Sequence, residues 1–276
     1  MSISVLILTL NEEVNIGACL DSVSWSDDVV VLDSLSEDRT VEIARSRGAR
    51  VVQRAFDNYA NQRNYGLKEI PYKNAWLLLL DADEVVPEEL RLEVLEAVRQ
   101  AGETVTLFRL RGKNHLYGRW IRGSSGYPTW FARLLRVGHA WFERTINEEL
   151  HTDGESRLLK GHFHHYPFNK GFSAWIAKHD RYSSMEAELL AQKLATRWKW
   201  RDLLSRDVGA RRRAAKALMY RLPARPVAVF MALYFFRGGI FDGRAGLTYS
   251  LLRAWYEYMI DCKRIELQRR ARGQSL

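Results

Sequence analysis

Cysteine is scarce: Cys19 and Cys262 are the only two in 276 residues. They are too few and too far apart for a disulfide framework or a zinc knuckle, which fits a reducing cytosol, and both read as ordinary packing residues. A secretory leader is not expected either. The opening "MSISVLILTLNEE" has no basic flank ahead of its apolar run, which stops at Leu10, so it reads as a first strand and the protein is expected to stay inside the cell. The run "PVAVFMALYFF", Pro226 to Phe236, is too short to cross a bilayer, which takes about 20 apolar residues. Internal repeats and low-complexity tracts are also absent. What remains, with 47% hydrophobic residues, is enough to bury a substantial core in one large domain or one domain plus an appendage.

Net charge is +9, and its placement is uneven. From Lys193 to Arg225 there are eleven Lys/Arg against Asp202 and Asp207, so this segment alone carries the excess and the rest of the chain balances to zero. A block of this length and sign points to an anionic surface, lipid or nucleic acid. Pro226–Phe236 follows it directly, and Trp255, Tyr256 and Tyr258 lie downstream. A buried core helix and a segment lying in a membrane leaflet are both open for this run. The basic and aromatic neighbours favour the interfacial reading.

The first hundred residues alternate between two periods. "SISVLILTL", "DDVVVLDS", "ARVVQRA" and "NAWLLLLDADE" are short apolar runs read as strands. "VNIGACLDSV", "DRTVEIARSRG", "NYANQRNYGLKEI" and "PEELRLEVLEAVRQAG" carry helical spacing, with Gly48 at a C-terminal cap and Pro87 at a first helical position. Strands apolar on both faces and alternating with helices predict a parallel sheet covered on two sides. After Gly102, "ETVTLFRLRGKNHLYGRW" and "TWFARLLRVGHAWFE" alternate polar with apolar and predict antiparallel or mixed strands added to that sheet. The expected division is residues 1–170 as the α/β catalytic domain and 171–276 as a helical, basic, membrane-associating region.

Ligands of an open parallel sheet bind at the carboxyl ends of its strands. Here those ends carry Thr9, Leu10, Asn11 and Glu12; then Asp33, Ser34, Ser36 and Asp38; then Asp81, Asp83 and Glu84. Asp is common in turns, yet two carboxylates one residue apart after a very apolar strand can hold a divalent cation between protein and phosphate oxygens. Mg²⁺ or Mn²⁺ suits such a site, and a diphosphate is the natural ligand. Gln62, Arg63 and Asn64 on the third helix stand near enough in sequence pattern to contact phosphate or base edges. In "HFHHY", His162 and His164 share one face of a strand, which is too few ligands for a zinc centre.

Together "ILTLNEEVNIGACLDSV", "VVVLDSLSEDRT", "YANQRNYGL" and "LLLLDADE" resemble the nucleotide-sugar-binding half of a family 2 glycosyltransferase of the GT-A fold. "WFARLLR", "INEELH", "LLKGHFHHY" and "FDGRAGLTYS" are similar to the bacterial subgroup containing lipopolysaccharide-core β-1,4-glucosyltransferases. The resemblance implies a Rossmann-like, mainly parallel sheet flanked by helices. It implies a nucleotide-sugar donor, a UDP-sugar above others, contacted by Thr9, Leu10, Asn11, Glu12, Asp33, Gln62, Arg63 and Asp81. Asp83 becomes the metal ligand, with His165 as a further group at the metal or diphosphate. It implies inverting transfer, with Glu148 as the acceptor-side base and Glu149 as the fallback. The family often has glycine after the Asp-Ser of the second-strand loop, where this chain has Leu35. Leucine avoids positive φ, so the loop is expected to bend differently there, which bears on Ser34 and Ser36 more than on Asp33.

The acceptor implied is a saccharide or glycolipid, such as a lipid-linked lipopolysaccharide-core or other surface-glycan precursor. The enzyme would then lie on the cytoplasmic face of the bacterial inner membrane, held to anionic headgroups. A polyprenyl-phosphate or soluble acceptor is the alternative within the same fold. A non-enzymatic nucleic-acid-binding protein is the alternative outside it, disfavoured because an acidic strand-end cluster repels phosphate, so no nucleic-acid partner is expected.

Overall fold

The apolar runs of the first eighty residues form parallel strands. The structure, a computed structural model, describes residues 2–143, 149–194, 211 and 224–276. β1 (Ser4–Thr9), β2 (Val29–Asp33), β3 (Arg50–Gln53) and β4 (Trp76–Asp81) lie in the order β3-β2-β1-β4. β1 is therefore the strand from which the chain winds first one way and then the other. Its parallel register sets Thr9 beside Asp33 and Leu8 beside Asp81.

The run "WLLLL" is apolar because β4 is buried on both faces. Leu78 and Leu80 join a cluster with Ile16 and Leu20 of α1 (Ile16–Ser22) and Leu90, Val94 and Val98 of α4 (Glu88–Gln100). Leu77 and Leu79 point the other way, into a cluster with Ala60 and Leu67 of α3 (Tyr59–Glu69). Alternation along a strand divides adjacent leucines between the two layers. α2 (Thr40–Ser46) completes the helices of this half, followed by Gly48 at φ 78, in the left-handed cap expected of it. Pro87 stands one position earlier than expected: at ψ 160 it is still extended and caps α4, its carbonyl accepting from the Leu90 and Arg91 amides.

The later strands extend the sheet with mixed polarity. β8 (Trp130–Arg136) pairs antiparallel with β4, and β6 (Val105–Leu116) antiparallel with β8. β11 (Glu155–His165) then runs parallel to β6, and the two-residue β5 (Glu84–Val85) closes that edge, while β7 (Arg119–Trp120) pairs with β6. β9 (Ala140–Glu143) and β10 (Glu149–Thr152) form a separate two-stranded ladder. The result is the α/β class expected, a sheet flanked by helices with a helical C-terminal region.

Residues Met1–Trp120 and Tyr127–Gly171 form one compact unit, and Ile121–Gly126 with Phe172–Leu276 form a second. Within the second, α5 (Gly171–Leu194) and α7 (Gly243–Ala271) supply Ala187, Leu190, Tyr256 and Ile260 to a small core. α6 (Arg225–Met231) precedes a wide turn at Ala232–Phe236 and a tight one at Gly239–Asp242. The buried Asp242 carboxylate accepts from the Arg122 amide (3.1 Å), the Ser124 amide (2.9 Å) and the Ser124 hydroxyl (2.9 Å). Gly123 lacks a side chain for a concrete reason: a Cβ there would lie 2.5 Å from the Arg237 carbonyl oxygen.

Two expectations need correction in this unit, and one of the two readings left open for Pro226–Phe236 falls away. No residue of Pro226–Phe236 is fully buried, so the run is not a core helix. Arg225, counted with the basic block, is buried and ion-paired with Glu257, so it cannot meet an external surface. Cys262 is exposed, unlike Cys19, because it falls on the outer face of α7. The rest of the basic block, apart from the exposed Arg211 and the helical backbone at Lys193, lies outside the described residues.

Candidate active site

The carboxyl ends of β1, β2 and β4 converge, as the strand order requires. Two loops are stitched together there. The Ser34 amide bonds to the Thr9 carbonyl (2.9 Å), the Asn11 amide to the Ser36 hydroxyl (2.8 Å), and the Glu37 amide to the Asn11 side-chain carbonyl (2.8 Å). Asn11 sits at φ 54, a left-handed conformation that Asn tolerates. Leu35 sits at φ 63. The expectation that leucine would bend this loop differently is therefore incorrect: the packed loops on either side hold Leu35 in the glycine-like conformation.

Asp33 is fully buried and organises this loop. Its two oxygens accept from the Thr9 hydroxyl (3.0 Å), the Ser36 amide (2.9 Å) and hydroxyl, and the Gln53 amide group (3.1 Å). Gln62, also buried, donates to the Ser34 hydroxyl (3.1 Å) and accepts from Arg54, so the third strand end, which carries no carboxylate, contributes through Gln53 and Arg54. Asn64 faces elsewhere and exchanges two 2.8 Å bonds with the Phe142 backbone, pinning β9 to α3. Leu10 is exposed at the lip.

Glu12 and Asp83 mark the polar centre. The Glu12 carboxylate accepts from Lys170 (2.9 Å) and Asn15 (2.8 Å), and Lys170 also reaches the Leu10 carbonyl (3.1 Å). Burial raises the Glu12 pKa, with Asn15 and Lys170 opposing. Asp81 meets Arg63 at 3.2 Å and Arg133 at 2.8 Å, one through each carboxylate oxygen. Arg133 is buried and also binds Glu84, whose carboxyl burial pushes up to about 7 against the pull of Arg133. The Glu84 carboxylate accepts in turn from the Asp81 amide (3.1 Å), fixing the turn.

Asp83 stands differently from Asp81. His165 Nε2 is 3.3 Å from its carboxylate, while His165 Nδ1 is 2.7 Å from the Asn114 side-chain oxygen. Asn114 offers only an acceptor there, so Nδ1 carries the proton and Nε2 faces Asp83. Burial opposes charging of this ring, and the carboxylates of Asp83, Glu84 and Asp81 outweigh it, raising the His165 pKa. Asp83 and Nε2 would hold a divalent cation together once Nε2 gives up the proton it shares with the carboxylate, and water and phosphate oxygens would complete such a shell. Among the described residues no group of three or more His, Cys, Asp or Glu could hold a metal by itself, so the diphosphate would have to supply part of the shell.

Residues 4–173 match the profile of glycosyl transferase family 2, a span that contains each strand end described above. The chain belongs to that family. Being a family 2 glycosyltransferase, it is an enzyme, which overturns the non-enzymatic reading of the basic block. The chain is 27% identical to an uncharacterized glycosyltransferase of Rickettsia typhi, over 98% of this chain and 89% of that one. It is 24% identical to the lipopolysaccharide core biosynthesis glycosyltransferase LpsC of Rhizobium meliloti, over 92% and 91%. Glucosyl-3-phosphoglycerate synthase of Mycobacterium tuberculosis, solved with Mn²⁺, UDP and glucosyl-3-phosphoglycerate, aligns at 26% identity and a TM-score of 0.35. That match covers 41% of this chain and under half (44%) of the other.

For this family 2 enzyme, sequence reasoning left out Arg133, Lys170 and the structural role of Glu84. Arg133 lies in the quoted "WFARLLR", but only the β4–β8 pairing brings it to Asp81. Glu148 lies outside the described residues. Glu149 begins β10, in register with Glu143 of β9.

Proposed function

We propose that the protein transfers a sugar, with inversion, from a UDP-sugar to a lipid-linked saccharide acceptor of the lipopolysaccharide-core kind, using Mg²⁺ or Mn²⁺. The observation that carries the reading is the contrast within one turn: Asp81 is neutralised by Arg63 and Arg133, whereas Asp83 faces the Nε2 atom of a histidine whose other nitrogen is fixed. Asp83 and His165 would hold the cation. When bound there, a cation would supply charge stabilisation for the departing diphosphate. Thr9–Glu12, with Asp33 and Gln62 behind them, form the bed for the nucleoside. Arg63 and Lys170 bring positive charge to the strand ends where the diphosphate would lie. Glu148 would take the proton from the acceptor hydroxyl, the kind of step worth roughly 10²–10⁴-fold in rate.

A titration of UDP-, GDP- and TDP-sugars with and without Mn²⁺ tests the donor half. Wild-type protein is expected to bind a UDP-sugar tightly only with Mn²⁺, and Asp83→Ala to lose that dependence. Binding by no donor, or equal binding by the variant, would remove the metal-diphosphate reading.

A further inference from the structure

Strands β6 and β11 carry a second polar cluster that the donor site does not use. Their parallel register sets Arg111 beside His162 and Lys113 beside His164. Side chains alternate along each strand, so Arg111, Lys113 and His115 share a face with His162 and His164, while Phe163 and His165 point to the opposite one. On the shared face His115 Nε2 lies 2.8 Å from His164 Nδ1, and the His115 ring stacks on Tyr166 with centroids 4.9 Å apart. Lys113 Nζ stands 4.5 Å from the centre of the Trp120 ring, and Arg111 sits 5.6 Å over Tyr127.

On this face the two cations, Arg111 and Lys113, are not ion-paired. Among the described residues neither Arg111 nor Lys113 has a carboxylate within ion-pair distance, and Arg111 Nε is buried with no hydrogen-bond partner. Glu89 is the acid that acts on Lys113, His162 and His164, and it does so only through space. Burial and neighbouring cations push the Lys113 amine down and hold His115 and His162 at about 4. Crowded cations with spare donors are what a site for an anion looks like before the anion arrives. The rings of Trp120, Tyr127 and Tyr166 add flat apolar faces, against which a pyranose can lie.

We propose that this band is an acceptor subsite that binds an anionic saccharide, gripping its phosphate or carboxylate through Arg111 and Lys113 while Tyr166 and Trp120 take the sugar ring. The inference rests on the glycosyltransferase reading for the word acceptor. Its position suits the role. The Tyr166 amide donates to the Asp83 carbonyl (2.9 Å), and β5, only two residues long, is the edge strand that pairs with β11 at His164, which belongs to the band, and at His165, which faces the candidate metal site. A saccharide chain bound on the band can turn that short edge and present its next residue to the donor.

The test is calorimetric titration of the full chain with glucose 6-phosphate, glucuronate, glucose and inorganic phosphate. Glucose 6-phosphate or glucuronate should bind at least tenfold more tightly than glucose, the tighter of the two naming the anionic group. Arg111→Gln and Lys113→Gln should each weaken that binding about tenfold, the order expected for a lost charge-assisted bond, while Mn²⁺-UDP binding is unchanged and reports that the fold is intact. Equal binding of glucose and both anionic sugars, or undiminished binding by both variants, overturns the proposal. Inorganic phosphate binding as tightly as glucose 6-phosphate overturns its saccharide part. Failure of the wild type to bind Mn²⁺-UDP would strike the donor reading alone, since the sugar titration does not depend on it.

Discussion

Leu35 shows how a single residue can bear the cost of a loop's shape. It is exposed, so it gains no burial from its left-handed backbone, a conformation that costs a non-glycine residue about 1–2 kcal/mol. Leu35→Gly is expected to stabilise the protein by roughly 0.5–1 kcal/mol, after glycine's own entropy loss is counted. The urea midpoint should rise with an unchanged slope, and a fall would show that the side chain has a use. Arg133 is the opposite case. It is buried between Asp81 and Glu84, and Arg133→Ala should cost about 3–5 kcal/mol because the buried Glu84 loses its ion-pair partner and Asp81 keeps only Arg63. Adding Glu84→Gln should recover part of the lost melting temperature. Asp81, Asp83, Glu12 and Asp33 were legible in the sequence because each follows directly on an apolar strand. Arg133 and Lys170 were not, since nothing local to them indicates which strand end they will meet.

Among the elements, the parallel strands and their helices could be read from periodicity, because burial on both faces leaves continuous apolar runs. The β4–β8 and β6–β11 pairings could not, since they join segments far apart in the chain. Helix α5 carries an element-scale device of its own. His179 stacks on Trp175, with ring centroids 3.5 Å apart, and its Nδ1 donates to the Trp175 carbonyl (2.8 Å). Burial lowers its pKa to about 4. The folded state thus binds fewer protons than the unfolded state between about pH 4 and the ordinary histidine value of about 6.5, so stability rises with pH across that window and is lost as pH falls. Hydrogen exchange of α5 and α7 amides should accelerate from pH 7 to pH 5, beyond the intrinsic pH dependence, by the equivalent of roughly 1–3 kcal/mol. His179→Phe should flatten the trend.

At the scale of the molecule, the second unit exposes more large apolar side chains than a solvated surface needs. Phe236 and Phe241 are 84% and 87% exposed at the turns between α6 and α7, and Leu247, Leu251, Trp255 and Tyr258 follow at helical spacing along one face of α7. Among the described residues no helix is long and apolar enough to cross a membrane. An anionic bilayer is the surface we propose for this face, with the Lys/Arg-rich segment adding charge attraction worth up to about 1 kcal/mol per residue. Flotation with phosphatidylserine vesicles at low salt should carry the wild type upward, and Phe236→Asp with Phe241→Asp should leave it in the dense fraction. Wild-type protein that never floats would end this idea.

Asp242 has a consequence for descent. Its three donors come from residues 122 and 124, more than a hundred positions earlier and within a stretch bracketed by the other unit's chain. The helical unit is therefore not a cassette that recombination can exchange by cutting once near residue 171. A new C-terminal half inherited that way would arrive without its own hexapeptide, and lineages should be found to exchange the two together or not at all.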